Sequence, residues 1–347
     1  MTIAVAVSGG TDSTFALALL REAGERVLAV HGHFLPPDPA RREAARALAA
    51  TCRALGVPLH EVDLTDAFRR LVVDPFARDH AAGLTPNPCA RCNPAMKFGL
   101  LLDAARRHGA EALATGHYAR LEGRGAAMRL LRGADPGKDQ SYFLALVPRE
   151  RLALAVLPLG SWTKERVRAG LAARGLAPAQ GAESQDICFI PGDDHCAFLP
   201  GAAARAGVGL PGPGPIRLPD GTRVGRHQGL WRYTLGQRRG IGVAHSEPLY
   251  VVAKDMAANT LVVGPRPLLE ARGCATRGAN LLVPPQEWPA ALAAQTRYRQ
   301  RAKPVRVEHG AQGLTLTFLA PQSLPAPGQV AVVYGPDDAV LAGGVIA

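Results

Sequence analysis

Residues Ile3 to Leu20 read IAVAVSGGTDSTFALALL. An apolar, β-rich run passes through Ser8, Gly9, Gly10, Thr11, Asp12 and Ser13 into a second apolar run of helical character. A buried strand that turns through glycines into a helix presents successive backbone N–H groups at the helix N-terminus, where the partial positive charge favours phosphate. The stretch is not a Walker A loop, because no Lys-Ser or Lys-Thr pair closes it, and it is not a G-x-G-x-x-G dinucleotide turn. Ser8, Thr11 and Ser13 add hydroxyls for a phosphate, and Asp12 is suited to hold Mg2+ against a pyrophosphate. The competing reading is an ordinary strand-to-helix turn with a Ser or Asp cap.

Outward from this turn the pattern repeats. RVLAVHGH at 26–33 reads as a second parallel strand, with His31 and His33 at the rim as adenine contacts or as bystanders. Pro36, Pro37 and Pro39 mark a loop, 40–55 an alanine-rich helix and 57–62 a third strand. This β-α-β-α-β alternation argues for a doubly wound parallel sheet, whose ligands sit where strand order reverses. After a helix at 101–108, residues 110–114 lead into a fourth strand that delivers Thr115, Gly116, His117 and Tyr118 to the same crevice. A Gly- and Arg-rich hairpin follows, then the polar cluster GKDQSYFL at 137–144 entering an apolar helix, then a helix within 158–175 with Trp162 and Thr163 at its start.

The chemistry concentrates in TPNPCARCNPAMKF at 85–98. Cys89 and Cys92 stand in C-x-x-C spacing, with Arg91 and Lys97 near enough to lower a thiol pKa. Such a pair serves as a nucleophile with a partner, as a redox disulfide or as half a metal site. No second close pair exists for a four-cysteine zinc site: Cys52, Cys188, Cys196 and Cys274 stand apart. Three cysteines meeting in space could still hold an iron–sulfur cluster. Cys188 falls in ESQDICFIP (183–191), read as a short apolar strand, where a lone cysteine packs a core unless the fold brings it to Cys92.

With 347 residues, 47% apolar and 20% charged, the chain suits a globular protein of two or three domains. No run reaches the roughly 18 to 20 apolar residues of a membrane span. Met1 leads directly into the first strand with no room for a signal peptide, so a cytoplasmic location and reactive or ligating cysteines are expected. The net charge of +11 suggests a polyanionic partner; 201–347 carry +8 of it, with 16 Lys and Arg against 8 Asp and Glu. There the texture changes: a Gly- and Pro-rich linker or irregular loop at 207–221 precedes short β-like runs, including Leu249–Ala253, Leu261–Val263, Gln295–Arg301, Val305–Glu308, Leu314–Phe318 and Val330–Val333. HQGLWRYTLGQRRGIG at 227–242 mixes Trp231, Tyr233 and arginines in a way that suits base stacking and phosphate contact. The expected organisation is a catalytic domain at 1–200, a small β-rich domain at 201–267 and a C-terminal β-barrel at 268–347.

AVSGGTDS (6–13), TPNPCARCN (85–93), ATGHYAR (114–120), GKDQSYFL (137–144), DICFI (186–190), HQGLWRYTLGQRRGIG (227–242), TRYRQ (296–300) and PGQVAVVYG (327–335) resemble, in order, the blocks of bacterial tRNA-specific 2-thiouridylases of the MnmA type. The first block is shared by many N-type ATP pyrophosphatases; the ordered set is far more specific. The resemblance implies an adenine nucleotide α-hydrolase-like fold in the first domain, and an ATP-dependent adenylation of the 2-carbonyl oxygen of the wobble uridine in tRNA. Sulfur from a cysteine persulfide, supplied by a donor protein, then gives 2-thiouridine, AMP and pyrophosphate. It implies that Cys188 accepts the persulfide sulfur, and that Cys92 is the nucleophile that resolves it through a transient Cys92–Cys188 disulfide. ATP with Mg2+ would be held by Ala6, Val7, Ser8, Gly9, Gly10, Thr11, Asp12, Ser13, Gly32 and Gly116. Asn87, Pro88 and Cys89 would line the target-base pocket, and His117, Lys138, Asp139, Gln140, Arg297, Tyr298 and Gln329 would touch tRNA.

Two departures stand out. Several relatives carry Asp, a proposed acid/base, where this chain has Cys89. A thiol then replaces that role, the role is unnecessary, or Cys89 joins Cys92 and Cys188 as an iron–sulfur ligand. The loop around Pro36–Pro39 is short, which leaves backbone groups at Gly32 for the adenine contact. An amidoligase-type adenylating enzyme would explain 1–33 but not the cysteine blocks; a non-enzymatic RNA-binding protein would explain the charge but not the phosphate loop.

Overall fold

The computed structural model describes residues 1–123, 125–179 and 187–347. Five strands form the first sheet: β1 (Thr2–Ala6), β2 (Arg26–His33), β3 (Leu59–Asp63), β4 (Ala112–Ala114) and, beyond the hairpin of β5 (Ala119–Glu122) and β6 (Arg129–Arg132), β7 (Ala155–Val156). Their order is β3-β2-β1-β4-β7 and every pairing is parallel. Helices α1 (Thr11–Glu22), α2 (Pro39–Ala54) and α3 (Lys164–Ala173) provide crossovers and cover. Alternate residues of β1 enter different cores: Ile3 and Val5 pack with Phe15, Leu17 and Val167, whereas Ala4 packs with Phe98, Leu101 and Leu102. Burial on both faces is why β1 reads as a near-continuous apolar run. The doubly wound expectation is met, and the strand order reverses beside β1, between the turns that follow β1 and β4.

Strands β8 (Gly214–Arg217), β9 (Arg223–His227), β10 (Tyr250–Asp255) and β11 (Thr260–Gly264) make a four-stranded sheet. The last six, β12 (Glu270–Leu281), β13 (Leu292–Gln295), β14 (Lys303–Gly310), β15 (Gly313–Ser323), β16 (Val330–Tyr334) and β17 (Ala339–Ile346), close into an antiparallel barrel, because β12 pairs with both β15 and β17. The β5–β6 hairpin extends this barrel through Ala339↔Leu131. GKDQSYFL strengthens the joint. The Tyr142 hydroxyl donates to the Val330 carbonyl at 2.9 Å, the Asn280 amide donates to Ala145 and Val147 carbonyls at 2.9 Å each, and the Arg132 guanidinium lies 3.6 Å from the Tyr334 ring centre.

Four sequence expectations are corrected. The strand over 295–301 ends at Gln295, because Gln300 accepts from Thr296 N and Oγ1 and the Gln295 amide donates to Arg297 O, local bonds that replace a ladder. The linker at 207–221 contains β8. Trp231 and Tyr233 are 7% exposed core residues, so they offer no stacking platform, although Arg238 and Arg239 are exposed. Of the strand expected at 183–191, residues 187–190 form a turn closed by Ile190 N to Ile187 O, and 183–186 lie outside the described residues. No helix among the described residues is long and apolar enough to cross a membrane.

His80 packs between Phe76 and His195 with its Nδ1 lacking a partner. Burial, then Lys254 and His195, push its pKa down to about 3 from 6.5, against a backbone bond to Trp231. The native state therefore binds fewer protons than the unfolded chain between those values, so stability falls as pH drops through that window. We expect His80 to remove about 2 kcal/mol between pH 7.5 and pH 5, and His80→Gln to flatten that slope in urea unfolding.

Candidate active site

The phosphate loop is folded by its own hydroxyls. Ser13 Oγ accepts from Ser8 N at 3.1 Å and donates to Gly10 O at 3.1 Å, and Gly9 takes φ 82° where a side chain would be strained. Gly10 stands at the N-cap of α1 and offers no side-chain acceptor, so the N–H groups of the first turn remain available to an anion. A Cβ on Gly116 would lie 2.9 Å from the Asp12 carbonyl carbon; this glycine lets the turn after β4 press against the start of α1.

Two contiguous cavities open here. One of about 260 Å3 is lined by Ala6, Val7, His31, Gly32, Phe34, Leu101, Thr115 and Gly116. A larger one of about 610 Å3 is lined by Gly10, Thr11, Asn87, Pro88, Cys89, Asn93, Lys138, Lys164, Ile187, Tyr298, Arg299 and Gln329. Ser8, Asp12, Ser13, Lys97, His117 and Gln140 face both. The barrel holds the far wall in place: Gln329 Nε2 donates to Thr85 O at 2.7 Å and Thr85 N to Pro327 O at 2.8 Å. Asn87 caps the short helix Pro88–Cys92 by accepting from Ala90 N at 3.1 Å.

Most of the residues named from sequence thus converge. Gly9, Cys92, Cys188, Asp139 and Arg297 do not line either cavity. Asp139 is occupied by Arg132, Gly133 N and Ser141, and so braces the Lys138–Gln140 turn. Arg299, at φ 62°, reaches the cavity in place of Arg297. Lys164 is the main omission of the sequence reading. Its Nζ lies 2.7 Å from Asp12 Oδ1, which also accepts from the Tyr118 hydroxyl at 2.7 Å. Trp162 and Thr163 signalled the start of α3, but nothing local tied the next residue to Asp12, 152 positions away.

Cys89 opens onto the larger cavity, Cys92 is buried behind it, and Cys188 is accessible beside the wall residue Ile187. The thiols sense one another: the charges of Cys188 and Cys89 oppose ionisation of Cys92, and that of Cys89 opposes ionisation of Cys188. Desolvation by the atoms packed around each sulfur dominates, even at the surface-accessible Cys89 and Cys188, raising Cys92 to about 12 and Cys188 to about 11, and raising Cys89, with Lys97 opposing in each case. The expected net acidification is therefore corrected; Arg91 turns away to Asp79 at 3.2 Å and Lys97 alone does not outweigh desolvation. Alkylation of Cys188 in the enzyme without substrates should rise about tenfold per pH unit from 7 to 10, read by peptide mass spectrometry, with no plateau near 9. Cys52 and Cys274 pack in cores. Among the described residues no three His, Cys, Asp or Glu side chains are gathered to hold a metal, so Cys89, Cys92 and Cys188 do not form a preset cluster site.

A doubly wound parallel domain whose glycine turn opens into a cavity bordered by Cys89 places the chain among enzymes built on a nucleotide-binding fold. Family models match the chain in three consecutive pieces: the tRNA methyl transferase HUP domain at 1–192, its PRC-barrel domain at 208–265 and an aminomethyltransferase β-barrel domain at 271–346. The protein described as tRNA-specific 2-thiouridylase MnmA in Nitratidesulfovibrio vulgaris (strain DSM 19637 / Miyazaki F) is 56% identical over 100% of this chain and 99% of its own. Those so described in Oleidesulfovibrio alaskensis and Lawsonia intracellularis are 55% and 45% identical with the same coverage. The chain belongs to the MnmA family of tRNA-specific 2-thiouridylases.

Proposed function

We propose that this protein is a tRNA 2-thiouridylase that uses ATP to exchange the 2-oxygen of a wobble uridine for sulfur, acting in the cytoplasm where tRNA is found. The observation that carries the reading is the single crevice in which the α1 phosphate loop faces the Cys89–Cys92 helix and the Cys188 turn. The smaller cavity suits the nucleoside of ATP, with Gly32 kept free of a Cβ that would fall 2.8 Å from the Phe34 ring. The larger one takes the polyphosphate and the everted base. Asp12 would be the protein ligand of Mg2+, consistent with a cation that takes one carboxylate and completes its shell with phosphates and water. Mg2+ there neutralises polyphosphate charge.

Uridine O2 attacks the α-phosphorus as the bond to pyrophosphate breaks and the N3 proton departs. The terminal sulfur of a Cys188 persulfide then attacks C2 and AMP leaves with the oxygen. The Cys92 thiolate attacks the Cys188 sulfur, so the S–S bond breaks toward the base. The products are 2-thiouridine and a Cys92–Cys188 disulfide, which an external thiol reduces with two electrons. Activation must come first, because a carbonyl oxygen is a poor leaving group until adenylated. Asn87, Pro88 and Cys89 line the base pocket, while Lys138, Gln140, Tyr298, Arg299 and Gln329 meet the anticodon loop. Cys89 takes the place of an acid/base carboxylate that the chemistry then does without. The reading is tested by incubating the protein with ATP, Mg2+, tRNA, a cysteine desulfurase and cysteine, then analysing nucleosides by mass spectrometry. The 2-thiouridine should appear only with ATP, and its absence would reject the assignment.

A further inference from the structure

Among the described residues facing both cavities, Lys97 is the one cationic side chain. It sits five positions beyond Cys92, in the π-helical segment Asn93–Leu101. That winding passes through Gly99 (φ −96°, ψ −107°), where a Cβ would fall 2.6 Å from the Pro94 carbonyl oxygen. Such insertions re-aim side chains. The Lys97 Nζ lies 3.3 Å from His117 Nε2, and His117 Nδ1 lies 2.8 Å from Thr115 Oγ1. An ammonium only donates, so Nε2 must be the acceptor and Nδ1 carries the proton that goes to Thr115. Burial and the Lys97 charge keep His117 neutral. The imidazole therefore aims the ammonium without cancelling its charge, and among the described residues no carboxylate pairs with Lys97. The same charge is felt at Cys89, Cys92 and Cys188.

We propose that Lys97 is a catalytic residue common to both half-reactions, a cation that His117 holds where the nucleotide and base cavities meet. This rests on the thiouridylase reading above. In the first step negative charge grows on the α-phosphate oxygens as the O2–P bond forms and pyrophosphate departs. In the second it passes from the attacking sulfur to the departing AMP as the C2–S bond forms and C2–O breaks. Both transfers occur between the two cavities, so one preorganised ammonium serves each in turn. A fixed ammonium stabilises that charge without any proton transfer, because it is already oriented before the reaction begins.

Lys97→Met keeps the length of the side chain and removes the charge. With the full protein, Mg-ATP, tRNA, a cysteine desulfurase and cysteine, its tRNA-dependent pyrophosphate release and its thiolation at saturating substrates should each fall about 100-fold. The KM values for ATP and tRNA should stay within about threefold, and Lys97→Arg should recover about tenfold over Lys97→Met, as a point charge partly replaced by a fork. A structural prop would give no rescue by charge. Rates of Lys97→Met within about threefold of wild type, no recovery by Lys97→Arg, or a loss cured by more ATP or tRNA would each overturn the proposal. If Lys97→Met does not fold, Lys97→Gln is held to the same thresholds. A wild-type protein that makes no 2-thiouridine would reject the functional reading instead, whereas active wild type with equally active Lys97→Met rejects only the role of Lys97.

Discussion

Cys188→Ala should release pyrophosphate in a tRNA-dependent manner yet form no detectable 2-thiouridine, a loss of at least about a thousandfold in sulfur incorporation. The phosphate loop, Lys164 and the base pocket are untouched by this change, so adenylation and tRNA affinity should hold within about twofold. Stability should also hold, because Cys188 is accessible and its removal opens no core cavity. Cys92→Ala should fail differently. Cys92 is buried in a cluster with Phe189, Met96 and Trp231, so some stability is lost with its packing. Its chemical signature should be a tRNA adduct linked to Cys188 through sulfur, seen as a band of higher mass on a non-reducing gel and dispersed by a small thiol. Undiminished thiolation by Cys188→Ala would remove the persulfide route.

Lys164→Met should show the reverse pattern, with adenylation failing and the thiols intact. The Lys164 side chain is 8% exposed and is tied at its backbone too, its N–H donating to Asp135 at 2.9 Å. Without nucleotide, the ammonium and Asp12 neutralise one another. Asp12 would be free to hold Mg2+ and the Lys164 ammonium to meet the phosphates of a bound triphosphate, where its charge would act as the pyrophosphate leaves. Removal of one preorganised group of this kind costs about 100- to 1,000-fold. Tyr118 remains bonded to Asp12 and that carboxylate is 34% exposed, so the unpaired charge should cost only about 1 to 2 kcal/mol of folding stability. Pyrophosphate release separates the two variants: normal release by Lys164→Met would show that Asp12 and the helix terminus suffice.

The glycine turn between β1 and α1 was legible because strand, glycines and helix start are consecutive, and each has a local signature: apolar continuity, freedom at φ 82° for Gly9, and an uncapped first turn. The parallel sheet was legible for a similar reason, since strands buried on both faces read as unbroken apolar runs between helices. Patterns failed where side chains settle the matter. Trp231 and Tyr233 read as a base platform and are core, because composition does not say which way an aromatic faces. Residues 296–301 read as strand and are a turn, because Gln300 and Gln295 capture backbone groups that a ladder would have used.

The thiols divide in the same way. Their identities and the Cys89–Cys92 spacing are in the sequence, as is the nearby lysine that suggested acidic thiols. Whether those thiols ionise was decided by burial, a sum over neighbours from distant segments, and burial wins by raising Cys92 to about 12. From Ile3 to Leu20 the sequence alone determined a strand, a glycine turn and an uncapped helix start on a parallel sheet, since hydrogen bonding and backbone freedom within a few residues suffice for that. Only the tertiary structure decided what completes it: Lys164 brought to Asp12 across 152 residues, Gly116 pressed on the first turn of α1, and a barrel loop at Pro327–Gln329 pinning the wall that carries Cys89. Such contacts depend on how separate elements pack, and no local spacing encodes them.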